Sequence, residues 1–133
     1  MYISKMLAEI GIECNCINEQ AVSSFGLVEY NDGIDVCTFV ENEKYVEKIS
    51  DNIRMVIARP DLLDVLNKED TLYGICIVEN PRIAYFSLHN YISNREYYKR
   101  KEFETRIGFN CNISSHAIIA DKNVVIGNNV TIE

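Results

Sequence analysis

Five cysteines (Cys14, Cys16, Cys37, Cys76 and Cys111) and two histidines (His89 and His116) carry the side chains most suited to metal or thiol chemistry. A structural zinc site is read from C-x2-C knuckles or from histidines at fixed spacing. The only close pair here is C-x-C, Cys14 and Cys16, and both histidines are distant in sequence. The cysteine count is odd, so a complete set of disulfides does not follow. The cysteines therefore read as reduced and mostly buried in a cytoplasmic protein, with no metal site. His89 falls in an expected helix with no nucleophile beside it and reads as structural, and His116 reads as an exposed corner residue. Neither G-x-G-x-x-G nor G-x4-G-K-[ST] occurs, so no dinucleotide site, P-loop or cofactor is indicated.

The elements that must position these groups follow two different periods. In the first ninety residues helices and strands alternate. Ser4 is an expected cap for a short helix carrying Leu7 and Ile10, which Gly11 ends. GLVEY, residues 26–30, reads as a strand, followed by a turn at Asn31-Asp32-Gly33. VCTFV, residues 36–40, is a second apolar strand. Asn42 then caps a helix in which Tyr45, Val46 and Ile49 fall three and four apart on one face. RMVIA, residues 54–58, and Ile75–Val78 read as strands, each followed by a helix that opens at a proline, Pro60 or Pro81. In the second of these helices Ala84, Leu88 and Tyr91 form a stripe at i, i+4 and i+7. The expected fold class is α/β, a small domain with a mixed, partly parallel sheet spanning residues 1–92. Residues 93–106 hold five basic and three acidic residues with no apolar stripe and read as a connector, or as a local basic patch.

Residues 107–133 carry a repeat. Cys111-x-Ile113, Ala117-x-Ile119, Val124-x-Ile126 and Val130-x-Ile132 recur at spacings of six, seven and six. A period of six is neither helical nor strand-like, and fits a solenoid in which each unit forms one flat side of a triangular coil. Gly127 and the pairs Asn110/Asn112 and Asn128/Asn129 suit its corners, where left-handed conformations are easy. The extra residue between Ala117 and Val124 is an expected bulge or corner insertion. The alternative is an ordinary hairpin, VVIGNNVTIE. Four units make little more than one coil and the chain ends within a unit, which reads as a severed solenoid or as an end covered by partner chains.

Composition narrows the functional classes. The chain has 133 residues, 47% of them hydrophobic and 25% charged, which describes a globular protein with a real core. Its net charge of −7 disfavours nucleic acid and anionic membranes as partners. No apolar run approaches the roughly 18 residues of a membrane span, and the acidic residue within MYISKMLAEIGIE argues against a signal peptide.

Three stretches together resemble the UDP-3-O-acylglucosamine N-acyltransferase (LpxD) family of lipid A biosynthesis: CTFVENEKYVEKI (Cys37–Ile49), IVENPRIAYFSL (Ile77–Leu88), and the passage into hexapeptides from Ile113. The resemblance implies a small uridine-binding α/β domain followed by the first coil of a left-handed parallel β-helix. It implies that Phe39, Asn42 and Tyr45 hold the uracil of a UDP-sugar. A phenyl face stacks on a planar base, an amide complements an imide edge, and a phenol adds a hydrogen bond. It further implies a trimeric, cytoplasmic parent enzyme that moves a 3-hydroxyacyl group from acyl carrier protein to a sugar amine. No catalytic histidine of that family has a counterpart here, and Glu13–Ser24 lacks the expected glycine-rich turn. This segment alone is therefore expected to be inactive. An acidic carrier protein would be repelled except near Lys99, Arg100 and Lys101. Two other readings remain open at this point: a sugar-nucleotide acetyltransferase using acetyl-CoA, and a non-enzymatic trimerising module.

Overall fold

The two middle strands of the sheet are rich in β-branched residues and buried on both faces, as strands of a covered parallel sheet must be. They are β3 (Val36–Val40) and β4 (Ile53–Ala58). The computed structural model describes residues 1–29, 31, 34–95 and 102–133. It divides into two compact units, Met1–Tyr98 and Lys99–Glu133.

In the first unit β1 (Asn15–Ile17), β2 (Ser24–Phe25) and β5 (Gly74–Ile77) complete a five-stranded mixed sheet of order β1-β5-β4-β3-β2. Strands β2 to β5 run parallel, and β1 joins the edge antiparallel to β5. Arg54 is a bulge residue, since Val36 pairs with Ile53 but Cys37 pairs with Met55. Gly74 is required by a close approach: a Cβ there would lie 2.6 Å from Met55 Sδ and closer still to the Asn18 carbonyl.

Each face of the sheet carries its own apolar layer. One layer joins Cys37, Met55, Ile57 and Cys76 to α1 (Ile3–Glu9) and to α3 (Pro81–Ser93). The other joins Val36, Val40, Ile53, Val56 and Ile75 to the 3-10 turn Glu43–Lys48, the 3-10 turn Pro60–Leu62 and α2 (Leu63–Leu66). Helix α3 starts where its sequence demands: the Asn80 carboxamide accepts from the Ile83 amide, and Pro81 takes the first turn, where no amide donor is needed. Ala84, Tyr85, Leu88 and Ile92 form its buried face, with Tyr91 half-buried beside them.

Several local expectations change. Ser4 lies inside α1 rather than capping it, because its amide and hydroxyl both donate to the Glu19 carboxylate at 2.7 Å. The strand expected at 26–30 lies earlier, at Ser24–Phe25. Beyond Gly26, whose amide still reaches the Cys37 carbonyl, the chain leaves the ladder and Leu27 is exposed. The helix after Asn42 is a 3-10 turn. Tyr30 and the turn residues Asp32 and Gly33 lie outside the described residues, as do residues 96–101 of the connector, including Lys99–Lys101.

The second unit contains four two-residue strands. They are β6 (Arg106–Ile107), β7 (Asn112–Ile113), β8 (Val125–Ile126) and β9 (Thr131–Ile132). Strand β6 pairs in parallel with β8 and β7 with β9, each nineteen residues downstream. A hairpin would make Val125–Ile126 and Thr131–Ile132 partners, and they are not. Every small or aliphatic residue at the repeat positions is half-buried, whereas the residue between each pair, Asn112, Ile118, Val125 or Thr131, is exposed. Asn110, Asn123 and Asn129 hold left-handed backbone at φ 54°, 66° and 59°. Asn123 sits in the seven-residue spacing, and one residue beyond three units of six accounts for the offset of nineteen.

Candidate functional site

Sheet pleating sends Phe39 to the α3 side, where its ring lies 4.8 Å from that of Tyr85 and 6.0 Å from that of Phe86. Two residues on, β3 has ended, and Asn42 starts the 3-10 turn that carries Tyr45. Phe39 and Tyr45 line one open cavity of about 310 Å³ with Leu27, Val28, Glu41 and Arg82. That cavity opens at the carboxyl ends of the parallel strands, where open α/β sheets generally bind ligands. Tyr45 is 40% exposed, with Lys44 Nζ 4.9 Å from its ring centroid.

Asn42 is placed differently from its two companions. It is exposed and does not line the cavity, and its Oδ1 accepts from the Lys44 amide at 3.1 Å. It is thus an N-cap first, as its position before the 3-10 turn implied.

The structure adds two residues that sequence spacing did not single out. Arg82 reaches back 41 positions from α3 to Glu41, donating from Nε and Nη2 to one carboxylate oxygen at 3.0 and 2.6 Å. Both lie within the quoted stretches, but only the assembled sheet, with α3 packed on β3, brings those stretches together. The guanidinium side chain remains 65% exposed and so is open to an incoming anion.

A second place with chemical potential is the opposite edge of the sheet, at β1 and β5. Cys14, Cys16 and Cys76 bring their sulfurs within 4.8 Å of one another. Cys16 and Cys76 are direct cross-strand partners of β1 and β5, and Cys14 precedes Cys16 by two residues on the same pleat. Hydrogen bonding from Cys76 holds the Cys16 thiol below the ordinary value, whereas burial and then the neighbouring Cys16 sulfur raise Cys14. Cys76 is raised strongly by its bond to Cys16 and by burial. Burial, and after it the Cys16 sulfur, also raise Cys37. Only Cys37 and Cys76 of the five free cysteines are buried, which corrects the expectation that most are. A C-x-C pair on a strand puts both thiols on one face, but nothing in the spacing reveals which distant cysteine joins them.

His89 is exposed on α3, its ring 6.1 Å from that of Phe25. His116 is exposed in the second unit, its amide donating to Ser114 Oγ. Among the described residues no helix is long and apolar enough to cross a membrane. No family model matches this chain, and no curated protein sequence matches it.

Proposed function

We propose that the first unit is a uridine-nucleotide recognition domain belonging to a bacterial N-acyltransferase of UDP-sugars. The observation that carries this reading is the meeting of Phe39 and Tyr45 on the wall of one cavity, with a guanidinium beside them. Phe39 stacks on the base, an interaction worth about 1–3 kcal/mol in other base-binding proteins. The Tyr45 hydroxyl addresses a uracil carbonyl, and Asn42, outside the cavity with its Oδ1 engaged in the cap, fixes the start of the turn that carries Tyr45. Arg82 meets the diphosphate.

The parent enzyme is a cytoplasmic homotrimer that moves a 3-hydroxyacyl group from acyl carrier protein to the amine of a UDP-linked acylglucosamine, a step of lipid A biosynthesis. That reaction forms an amide C–N bond and breaks a thioester C–S bond, and the amine proton ends on the departing thiol. The second unit begins its left-handed β-helix. Two parallel ladders, each joining residues nineteen apart, with aliphatics turned inward at every unit, support that assignment. The trimer draws support from apolar residues turned outward there: Ile118 is 99% exposed and Phe109 68%. The same observation favours, as a second reading, a module whose role is trimerisation alone.

Titration with UDP, followed by amide chemical shifts, tests the first reading. The expected result is saturable binding with Kd near 1 mM, about −4 kcal/mol, weakened several-fold in Tyr45→Phe and in Arg82→Gln. Absence of saturable binding by the unmutated protein at millimolar UDP overturns it. Sedimentation addresses the module: a stable trimer with no response to UDP selects it.

A further inference from the structure

We propose that Cys14, Cys16 and Cys76 form a thiolate site for a thiophilic divalent cation of the Zn²⁺ class, with a fourth coordination position open to solvent. The site is separate from the cavity at Phe39 and does not depend on the uridine reading.

The geometry is close to what such an ion needs. Zn–S bonds of about 2.3 Å at tetrahedral angles place ligand sulfurs roughly 3.8 Å apart, and these three lie within 4.8 Å of one another without an ion between them. Two of the three are fixed by sheet pairing, because Cys16 faces Cys76 across the β1–β5 ladder. The pleat brings Cys14 to the same side. A χ1 rotation about Cα–Cβ at half-buried Cys14 moves its sulfur relative to the other two.

An approach path exists. Cys14 lines an open cavity of about 890 Å³ at the carboxyl ends of β4 and β5, which Pro60 and Asn80 also border. Glu13 and Glu79 line the same cavity, so the approach is acidic and favours a cation. No histidine joins the group and no carboxylate lies within ligand range of all three sulfurs among the described residues, so the donor set is soft. Hard cations such as Mg²⁺ and Ca²⁺ prefer oxygen ligands and are selected against. Three protein ligands leave room for a water or an incoming thiol in the fourth position, the arrangement of an open rather than a closed zinc site.

Ligation requires that bound thiols surrender their protons to solvent, so uptake is favoured by rising pH.

The experiment is titration of the reduced full chain with Zn²⁺, and separately with Co²⁺, under argon. One ion per chain is expected, with Kd below about 10 µM. Co²⁺ should give a near-ultraviolet thiolate-to-metal charge-transfer band, proton release on binding, and a rise in Tm with added ion. Cys16→Ser and Cys14→Ser, both at half-buried positions, should each weaken binding at least tenfold, and Cys111→Ser should leave it unchanged. Absence of the charge-transfer band, undiminished binding by Cys16→Ser, or a Cys16–Cys76 disulfide in protein isolated under reductant each overturns the proposal.

Discussion

Arg82 and Glu41 clamp the rim of the aromatic cavity, the guanidinium giving two hydrogen bonds, 3.0 and 2.6 Å long, to one carboxylate oxygen. An exposed pair of this kind adds less than about 1 kcal/mol to stability. Its larger effect is on what the cavity accepts, because Glu41 both orients the guanidinium and repels an incoming phosphate. Glu41→Gln is expected to tighten UDP binding two- to fivefold while moving Tm little. Calorimetric titration at low and moderate salt checks this, and unchanged or weaker binding in Glu41→Gln contradicts it.

Thr38 lies on β3 with its Oγ1 buried and without a hydrogen-bond partner among the described residues. By the pleat it belongs to the layer of Val36 and Val40. A buried hydroxyl that makes no bond is costly to keep from water. Thr38→Val should therefore stabilise the fold by about 1 kcal/mol, read as a higher urea midpoint at unchanged m-value. A lower midpoint would show that the hydroxyl is satisfied in solution.

Burial raises the thiol of Cys37, and burial together with the bond to Cys16 raises that of Cys76. A raised folded-state thiol keeps its proton after the unfolded chain has lost it. The stabilisation is therefore complete below the unfolded value, about 8.5, and declines as pH rises above it. Each such thiol removes about 1.4 kcal/mol per pH unit in that range. Denaturant melts between pH 8 and 10.5 should show falling stability, with a shallower slope in Cys37→Ala. Equal slopes in the two proteins would refute the assignment to Cys37.

Asn129 holds φ 59°, and its side-chain oxygen accepts from Asn110, itself at φ 54°. Asn129→Ala should cost about 1–2 kcal/mol through left-handed strain, and Asn129→Gly should cost less. Thermal melts of the two variants check the order. Equal losses in the two variants would place the stabilisation in the amide pair rather than in the backbone.

Helix α3 and strands β3 to β5 were legible because their signals are local. Asn-Pro marks a helix start, and apolar runs of four to six residues mark covered strands. The displaced β2 and the uncapped Ser4 were not, because each is decided by a distant partner, Cys37 in one case and Glu19 in the other. Phe39 and Tyr45 were named together only through the resemblance of the stretch Cys37–Ile49 to a family pattern. Arg82, from 41 residues beyond Glu41, could not be joined to them from spacing, and neither could Cys76 to Cys14 and Cys16. Long-range register is a property of the assembled sheet.

Strand β1 pairs only with residues 58 to 62 positions downstream, Ile17 with Ile75 and Asn15 with Ile77. Closing so long a loop is entropically slow, and contacts of this kind are made late. During synthesis the earliest strand of this sheet must thus wait for β5 before it can dock. Until β5 has emerged, the thiols of Cys14 and Cys16 travel on an unpaired segment, open to oxidants, metals and other chains.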